Sequence, residues 1–406
     1  MQASGNEFYG LKWVEQLADP RPEWTVELDV NAIKYEAEKA VGPENTQVSF
    51  YAQGGFNRLF EIVAGNKTYL MRVSLPVDPY WKTSSEVATL SWVEKNTTMP
   101  VPHVVAYNSN RKNAIGFEWM LMTKLPGVNL SKEWRNVSFE TKRYVTEQIA
   151  EYLVALFSKQ KNAIGGLHEG SEDRGRIVAM EFFWNKRLSY DVNRGPFKSS
   201  HDWMLARLSV VEQDWQETLD HSQDDAETYD AEQIIIVVKA LRGILDVVFP
   251  PTSTTEPSML VHDDMHKSNI LVDVDSGRVT GIVDWECVSW LPLWKACDHP
   301  HFLCDGKRST EPVRGSYTVG KDGEVNELYW ENLMEWESTR LRQHFDNIMQ
   351  RTCPEWVQIY DRSGLQRDFD GAIIQCSAEY ARPGIMDWIK KVSQGDLTAR
   401  IGDDDD

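Results

Sequence analysis

Cysteine is scarce in this sequence, and long apolar runs are absent. Five cysteines among 406 residues form an odd and sparse set, which favours free thiols in a reducing compartment over a disulfide framework. The first 20 residues are mixed and polar, unlike a secretory leader, so we expect a cytoplasmic protein. The longest apolar stretch, at 234–249, contains Lys239, Arg242 and Asp246, and it falls short of the roughly 20 residues of a membrane span. We expect a buried helix there and no membrane partner.

Positive charge is also in deficit. Lysine and arginine number 43 against 62 aspartates and glutamates, which gives a formal net charge of −19. The deficit argues against a general nucleic-acid binder, because a protein without a basic surface gains little from releasing phosphate counterions. The acidic balance would suit a cationic partner, but solubility alone also accounts for it.

Apolar residues are abundant enough for a folded chain, at 41% with 11% aromatic. After a polar leader, apolar spacing predicts a short helix at about 30–41. The stretch 47–73 alternates apolar and polar residues in two runs joined by AGNK, which is typical of hairpin strands. Ser84 or Ser85 could cap the next helix, and two further strands end near residue 125. The predicted order is β-β-β-α-β-β.

Beyond this point the periodicity changes to that of helices. Apolar residues keep helical spacing at 144–157, 232–249 and about 325–350. We therefore predict an α+β fold of two lobes, a small β-rich N-lobe and a larger helical C-lobe. The predicted organisation is an N-terminal extension at 1–45, the N-lobe at 46–125, the C-lobe at 126–400 and an acidic tail at 401–406.

One polar segment of the C-lobe carries candidate chemistry. The stretch VHDDMHKSNILVD at 261–273 places Asp264 two residues after His262 and five before Asn269. A short strand, an Asp-Ser-Gly turn and a return strand follow. Because hairpin strands run antiparallel, they deliver Asp284 to the same end as Asn269.

These residue types suit phosphoryl transfer. One carboxylate must accept or orient the proton of a nucleophilic hydroxyl, and a second carboxylate with an amide oxygen can hold Mg²⁺. Asp264 suits the first role, and Asn269 and Asp284 suit the second. His262 would brace the loop by hydrogen bonding. The alternative is ordinary turn chemistry, since such polar residues are common between apolar runs.

The segment VHDDMHKSNILVD…GIVDWE resembles the catalytic loop and metal-binding segment of the aminoglycoside phosphotransferase/choline kinase family. The usual family form is His-Gly-Asp-x-x-x-x-Asn followed by Ile-Asp-Trp/Phe-Glu. The likeness runs from about residue 46 to beyond 350 and is most specific at 262–286. The segments WLPLWKACDHP and LRQHFDNIM also resemble sequences of fungal members of the family. It implies a protein-kinase-like fold, ATP and Mg²⁺ as cofactors, and transfer of the γ-phosphoryl group to a hydroxyl of a small-molecule acceptor. The identity of that acceptor stays open.

The resemblance also implies a nucleotide grip in the N-lobe. Gly54 and Gly55 would form a loop over the phosphates, although a hairpin turn also explains them. Arg72 stands where kinase-like folds carry lysine, and Glu86 follows on the next helix as its partner acid. An ordinary charge on an exposed strand face is the alternative for Arg72.

The strand EWMLMT would lie beside the adenine base. Met122 would line the adenine cleft, and the backbone around Thr123 and Lys124 would offer hydrogen bonds to the base. Plain core packing is the alternative, because methionines on a strand are commonly core residues.

Two residues depart from the family pattern. Arg72 replaces lysine with a bulkier, planar group. Asp263 takes the place of the loop glycine and adds negative charge beside Asp264. Both motivate a second hypothesis, a catalytically inactive kinase-like protein that acts as a nucleotide- or partner-binding scaffold. A protein kinase is less favoured, because no activation loop with Ala-Pro-Glu follows Asp284.

A Cys/His cluster near the catalytic loop invites a zinc interpretation. Its members Cys287, Cys297, His299, His301 and Cys304 fall within eighteen positions. No pair has the Cys-x2-Cys spacing of structural zinc sites. We therefore do not predict structural zinc there.

Overall fold

The computed structural model describes residues 7–15, 20–43, 45–320 and 323–402. Most of the predicted acidic tail, from residue 403 onward, lies outside these ranges, and the predicted extension at 1–45 is described only in part. In that part, strands β1 (Leu11–Val14) and β2 (Arg21–Trp24) pair antiparallel. The predicted helix at 30–41 is confirmed as α1 (Val30–Val41).

The N-lobe has the predicted β-β-β-α-β-β order of elements. These elements are β3 (Gln47–Gln53), β4 (Asn57–Ala64), β5 (Lys67–Ser74), α2 (Trp81–Asn96), β6 (Val104–Asn108) and β7 (Glu118–Thr123). The five strands form one antiparallel sheet with the strand order β3-β4-β5-β7-β6. Alternating burial along β4 places one face of this sheet against α1, as expected for a half-buried strand.

The predicted start of α2 is wrong by several residues. The helix begins at Trp81, and its cap Tyr80 makes no side-chain capping bond. Ser84 and Ser85 are buried inside the helix instead, where the Ser84 hydroxyl accepts a hydrogen bond from the Glu169 amide at 3.0 Å. A serine before an apolar run resembles a cap in sequence, but here tertiary packing buries the first turns.

The C-lobe is mostly helical and carries short strands near the catalytic segment. The predicted helices at 144–157, 232–249 and about 325–350 are confirmed as parts of α4 (Phe139–Phe157), α7 (Asp225–Val248) and α9 (Glu327–Thr352). The predicted α+β class is confirmed as well. The strands are β8 (Val128–Asn129), β9 (Lys161–Asn162), β10 (Gly166–His168), β11 (Ser171–Gly175), β12 (Pro257–Val261), β13 (Ile270–Val272), β14 (Val279–Ile282) and β15 (Ser289–Pro292). The helices are α3 (Leu130–Glu133), α4 (Phe139–Phe157), α5 (Met180–Phe183), α6 (Ser200–His221), α7 (Asp225–Val248), α8 (Leu293–Ala296), α9 (Glu327–Thr352), α10 (Pro354–Arg362), α11 (Gly364–Gln375) and α12 (Arg382–Ser393).

Two apolar cores organise the C-lobe. The first joins α4 and α9 to the β13–β14 hairpin and also takes in Met120 and Met122 of the N-lobe sheet. The second packs α6, α7, α11 and α12 together. Each large side chain buried this way contributes roughly 1.5–3 kcal/mol. The β13–β14 hairpin is therefore anchored in a core that both lobes share.

The apolar stretch at 234–249 falls within α7 and the residue after it, and its buried residues pack in the second core. This confirms the predicted buried helix. Among the described ranges, no helix combines the length and apolar character that a bilayer crossing requires.

Candidate active site

His262 lies behind the catalytic loop, directly after β12. Its side chain is buried, and Nε2 donates a hydrogen bond to the Val283 carbonyl at 3.0 Å. The ring also packs edge-on against Trp285, with centroids 4.8 Å apart. Burial lowers the pKa of His262, which favours the neutral imidazole. The structure thus ties the loop to the strand end beside Asp284, and the bracing role itself stays a prediction.

Asn269 holds Asp264 in place. The Asn269 Nδ2 group donates to the Asp264 backbone carbonyl and to Oδ2, both at 2.8 Å. The loop is closed further by backbone bonds from His266 N to Asp264 O and from Asn269 N to His266 O. The Asp264 side chain remains 62% exposed. The loop therefore presents an oriented carboxylate to solvent.

Asp284 sits one residue beyond Val283, at a sharp turn after β14. Val283 N donates to the Asn269 carbonyl at 3.0 Å, so Asp284 and Asn269 lie at the same hairpin end, as predicted. The Asp284 backbone has φ +66°, a left-handed conformation that aspartate adopts more readily than most residues. This turn directs Asp284 and Glu286 toward the N-lobe.

Arg72 on β5 links the two lobes. Its Nη1 lies 2.6 Å from Glu86 Oε1 and its Nη2 lies 3.1 Å from Asp284 Oδ1. Nη1 also lies 3.5 Å from Glu286 Oε2. A planar guanidinium can serve several carboxylates at once, which a lysine ammonium does with less directional control. The predicted Arg72–Glu86 contact is present, and an exposed strand charge is wrong for Arg72, since its side chain is only 7% exposed.

Lys82, Asn57 and Glu286 complete this group, and Lys82 and Asn57 were missed from the sequence. Lys82 Nζ lies 2.5 Å from Glu286 Oε2, and Asn57 Nδ2 donates to the same oxygen at 2.8 Å. Lys82 Nζ also donates to Asn57 Oδ1 at 3.1 Å. One sequence signal was available, because Lys82 precedes Glu86 by four residues and shares its helix face. We call Arg72, Lys82, Glu86, Asp284 and Glu286 the interlobe cluster.

Mixed charges set the ionisation of the interlobe cluster. Burial raises the pKa of Asp284, the nearby Glu286 raises it further, and Arg72 opposes both. Burial also disfavours ionised Glu286, but Lys82 and Arg72 outweigh it and lower the pKa of Glu286 to about 2. Three carboxylates face two cations in these ion pairs. The excess negative charge leaves the cluster able to accept a further cation.

Gly54 and Gly55 occupy the turn between β3 and β4. Gly54 N donates to the Asn57 carbonyl at 2.9 Å, which closes the turn. Neither glycine has a positive φ, so the turn does not demand glycine. A Cβ added at either position would meet no atom within 4 Å. The space beside this turn is open, which a bound group could use, and the plain hairpin interpretation also remains open.

The residues predicted to contact adenine are largely engaged within the protein. Met122 is buried with Met120 in the shared core. The Thr123 amide donates to the His103 carbonyl at 2.9 Å, and the Lys124 amide donates to the Thr68 carbonyl at 3.4 Å. The predicted backbone donors at Thr123 and Lys124 thus already have partners, at His103 next to β6 and at Thr68 on β5.

Asp263 faces a second ionic group inside the C-lobe. Lys295 Nζ lies 3.7 Å from Asp263 Oδ1 and 3.0 Å from Asp370 Oδ2. Arg207 pairs with Asp370 and lies 3.3 Å from Glu181 Oε1. Asp263 does not have a positive φ, so aspartate fits this glycine position without backbone strain. We call Glu181, Arg207, Asp263, Lys295 and Asp370 the rear network.

The five residues of the Cys/His cluster do not form a metal site together. His299 Nε2 pairs with Asp346 Oδ1 at 2.8 Å, Cys297 is buried, and every cysteine of the chain is a free thiol. His301 instead lies next to His266, with ring centroids 4.7 Å apart.

The chain was compared with protein-family models, with curated proteins and with solved structures. Residues 47–295 match the sequence model of the phosphotransferase enzyme family. A subtelomeric hrmA-associated cluster protein of Aspergillus fumigatus is 26% identical over an alignment of 302 residues that covers 62% of this chain and 59% of that protein. Clavilactone A biosynthesis cluster protein Y of Ampulloclitocybe clavipes is 27% identical over an alignment of 237 residues that covers 56% of this chain and 55% of that protein. The chain thus matches little more than half the length of these relatives.

Among solved structures, aminoglycoside phosphotransferase APH(4)-Ia is similar over 90% of this chain and 99% of its own, with 14% identity and a TM-score of 0.47. The family match is the stronger finding, since it contains the catalytic loop, the β13–β14 hairpin and the whole N-lobe sheet. It covers residues 47–295 of 406, more than half of the chain. The protein belongs to the phosphotransferase enzyme family, as the resemblance of its catalytic loop indicated.

Proposed function

We propose that the protein transfers the γ-phosphoryl group of ATP to a hydroxyl of a small-molecule acceptor. The observation that carries this proposal is the arrangement around one hairpin end. An exposed carboxylate, Asp264, is held by Asn269, and Asn269 is bonded through its backbone to the strand that leads into Asp284. Asp284 in turn contacts Arg72 of the N-lobe.

Asp264 would receive or orient the proton of the acceptor hydroxyl. Its exposure of 62% leaves it accessible to an acceptor, and the bond from Asn269 fixes one carboxylate oxygen. Such positioning accounts for much of the catalysis in phosphoryl transfer, where little covalent chemistry falls to the protein. His262 would support this geometry from behind the loop.

Asn269 and Asp284 would hold Mg²⁺, and their oxygens suit it. Asn269 uses its Nδ2 group on Asp264, so the amide oxygen is left for another partner. Asp284 gives one oxygen to Arg72 and is 34% exposed. Carboxylate and amide oxygens are hard ligands of the kind that Mg²⁺ prefers. When bound, Mg²⁺ neutralises negative charge on the phosphates.

Arg72 would position the phosphates while Glu86 holds it, and Gly54 and Gly55 would cover them. The 2.6 Å contact between Arg72 and Glu86 supports this assignment, as does the open space at the glycine turn. Met122 and Thr123 would border the adenine pocket.

A catalytically inactive scaffold is the second candidate. Its support is that the Arg72 guanidinium is shared among three carboxylates, so a phosphate must compete for it. Arginine in the lysine position and Asp263 in the glycine position point the same way.

Nucleotide-dependent stabilisation separates the two candidates. We expect Mg-ATP, but not ATP alone, to raise the melting temperature, and Asp284→Asn to abolish the rise. Asp275→Asn, at the opposite end of the same hairpin, is the matched control and should keep it. Stabilisation that needs no metal, or none at all, would favour the scaffold.

The acceptor can be sought with labelled ATP and a metabolite extract, with Asp264→Asn as the inactive reference. Fungal metabolites carrying hydroxyls are the first class to screen, because two relatives are named for fungal gene clusters. We also propose that 46–125 is an N-lobe and 126–400 a C-lobe, and that the protein is cytoplasmic, which its five free thiols support.

A further inference from the structure

Two histidines beside the proposed base have no part in the proposed function. His266 lies on the catalytic loop, and His301 begins the short 3-10 helix His301–Leu303. His266 Nε2 is 3.2 Å from Asp264 Oδ1. One ligand atom from each of Asp264, His266 and His301 lies within 4.8 Å of the other two. Within the described ranges, this is the only group of three or more histidine, cysteine or acidic side chains with such spacing.

The backbone holds these side chains near one another. Phe302 N donates to the Met265 carbonyl at 3.0 Å, which joins the His301 turn to the catalytic loop. His266 N donates to Asp264 O at 2.8 Å. Asn269 occupies Asp264 Oδ2, so Oδ1 faces His266. The three potential ligands therefore need little backbone movement to converge.

The donor set differs from that of the neighbouring Mg²⁺ candidates. Asn269 and Asp284 offer oxygen alone, whereas Asp264, His266 and His301 offer two imidazoles and one carboxylate. Imidazole nitrogens suit Zn²⁺ and related transition-metal ions better than Mg²⁺. Two histidines and one carboxylate, with a fourth position left to water, form a known type of zinc site. All three residues are exposed, so an ion can enter from solvent.

We propose that Asp264, His266 and His301 form a binding site for a transition-metal dication, and that the ion bound there is Zn²⁺. The ion would occupy Oδ1 of the carboxylate assigned to the acceptor proton, so zinc would inhibit the transfer. The binding site itself stands on the geometry of the three side chains. Only the inhibition rests on the proposed function.

Cobalt titration of the full chain tests the site, because Co²⁺ replaces Zn²⁺ and absorbs visible light when bound by nitrogen and oxygen ligands. We expect one Co²⁺ per chain, displaced by Zn²⁺. His266→Ala and His301→Ala should weaken binding at least about tenfold, because even the loss of a residue that only orients a metal ligand commonly lowers metal affinity by roughly 10–100-fold. His103→Ala is the matched control, since His103 also lies 2.9 Å from a carboxylate, Glu94, but lacks a second imidazole.

Circular dichroism verifies that each variant folds, and His266→Gln and His301→Gln replace any alanine variant that does not. Absence of saturable Co²⁺ binding, or unchanged affinity in the His301 variants, would overturn the site. In a transfer assay, Zn²⁺ should inhibit the wild type more than His301→Ala, and equal inhibition would reject the inhibitory role. If no transfer is detected at all, the proposed function and its inhibition fail, and the titration still decides the metal site.

Discussion

The interlobe cluster and the rear network have the same formal charges. Each combines two cations with three carboxylates. They differ in what they connect. The interlobe cluster joins β5 and α2 of the N-lobe to the turn after β14, whereas the rear network joins α5, α6, α8 and α11 to Asp263 inside the C-lobe.

This difference separates a responsive group from a fixed one. Arg72 and its partners in the cluster lie between the lobes, where we propose that the nucleotide binds, so a ligand can exchange with these partners. Lys295 and Arg207 instead meet on Asp370, which is 7% exposed, and their ion pairs stay within the C-lobe. We therefore expect substitutions in the interlobe cluster to change both stability and nucleotide response, and substitutions in the rear network to change stability alone.

Removal of the Arg72 charge should have the largest effect. Arg72→Met leaves the buried Glu86 and the partly exposed Asp284 without their main cation, and we expect a loss of about 3–5 kcal/mol in the free energy of unfolding. The Mg-ATP stabilisation should disappear with it. Arg72→Lys keeps the charge and should lose less. Urea unfolding with and without Mg-ATP measures both quantities.

A surface arginine provides the control for this substitution. Arg143 pairs with Glu140 on the same helix at 3.2 Å and is 38% exposed, so Arg143→Met should cost less than about 1 kcal/mol. A similar cost for Arg72→Met and Arg143→Met would contradict the buried, shared role of Arg72.

Glu286 should make the stability of the cluster depend on pH. Its pKa is lowered from 4.5 to about 2, so the ionised carboxylate stabilises the fold above about pH 4.5 and loses this contribution as pH falls toward 2. At neutral pH, Glu286→Gln should cost on the order of 3 kcal/mol. The difference in unfolding free energy between wild type and variant should shrink below pH 4.5. A difference that stays constant from pH 6 to pH 3 would refute this.

Asp370→Asn tests the rear network. The substitution weakens charged hydrogen bonds to Arg207 and Lys295, and we expect a loss of about 2–3 kcal/mol. The rise in melting temperature with Mg-ATP should match that of the wild type, because the ion pairs of the rear network stay within the C-lobe and include no residue of the interlobe cluster. A lost nucleotide response in Asp370→Asn would remove the distinction between the two groups.

Much of the candidate site could be predicted because its information is local. Asn269 and Asp284 flank one hairpin, and the antiparallel pairing of its strands is enough to bring its two ends together. Arg72 and Glu86 lie on consecutive elements, β5 and α2. The order of elements along the N-lobe followed from alternation and glycine turns.

The remainder depends on packing between distant segments. Glu181, Arg207 and Asp370 lie on three elements far apart in sequence, and no local pattern pairs them. Lys82 was missed because α2 is buried on several faces, so its residues do not show the polar and apolar stripes of a surface helix. The same burial made Ser84 and Ser85 misleading as caps.

Substitutions at Asp263 should have the smallest effect on the free energy of unfolding. Two of them separate the contribution of the backbone from that of the side-chain charge. Its side chain is 58% exposed and 3.7 Å from Lys295, so Asp263→Asn should change the unfolding free energy by less than about 1 kcal/mol. Asp263→Gly restores the family residue, yet the backbone here needs no positive φ. Glycine then only adds freedom to the unfolded chain, and we expect it to be about 0.5–1 kcal/mol less stable than the asparagine variant. Urea unfolding of both variants decides this, and a glycine variant as stable as Asp263→Asn would show that the loop favours glycine after all.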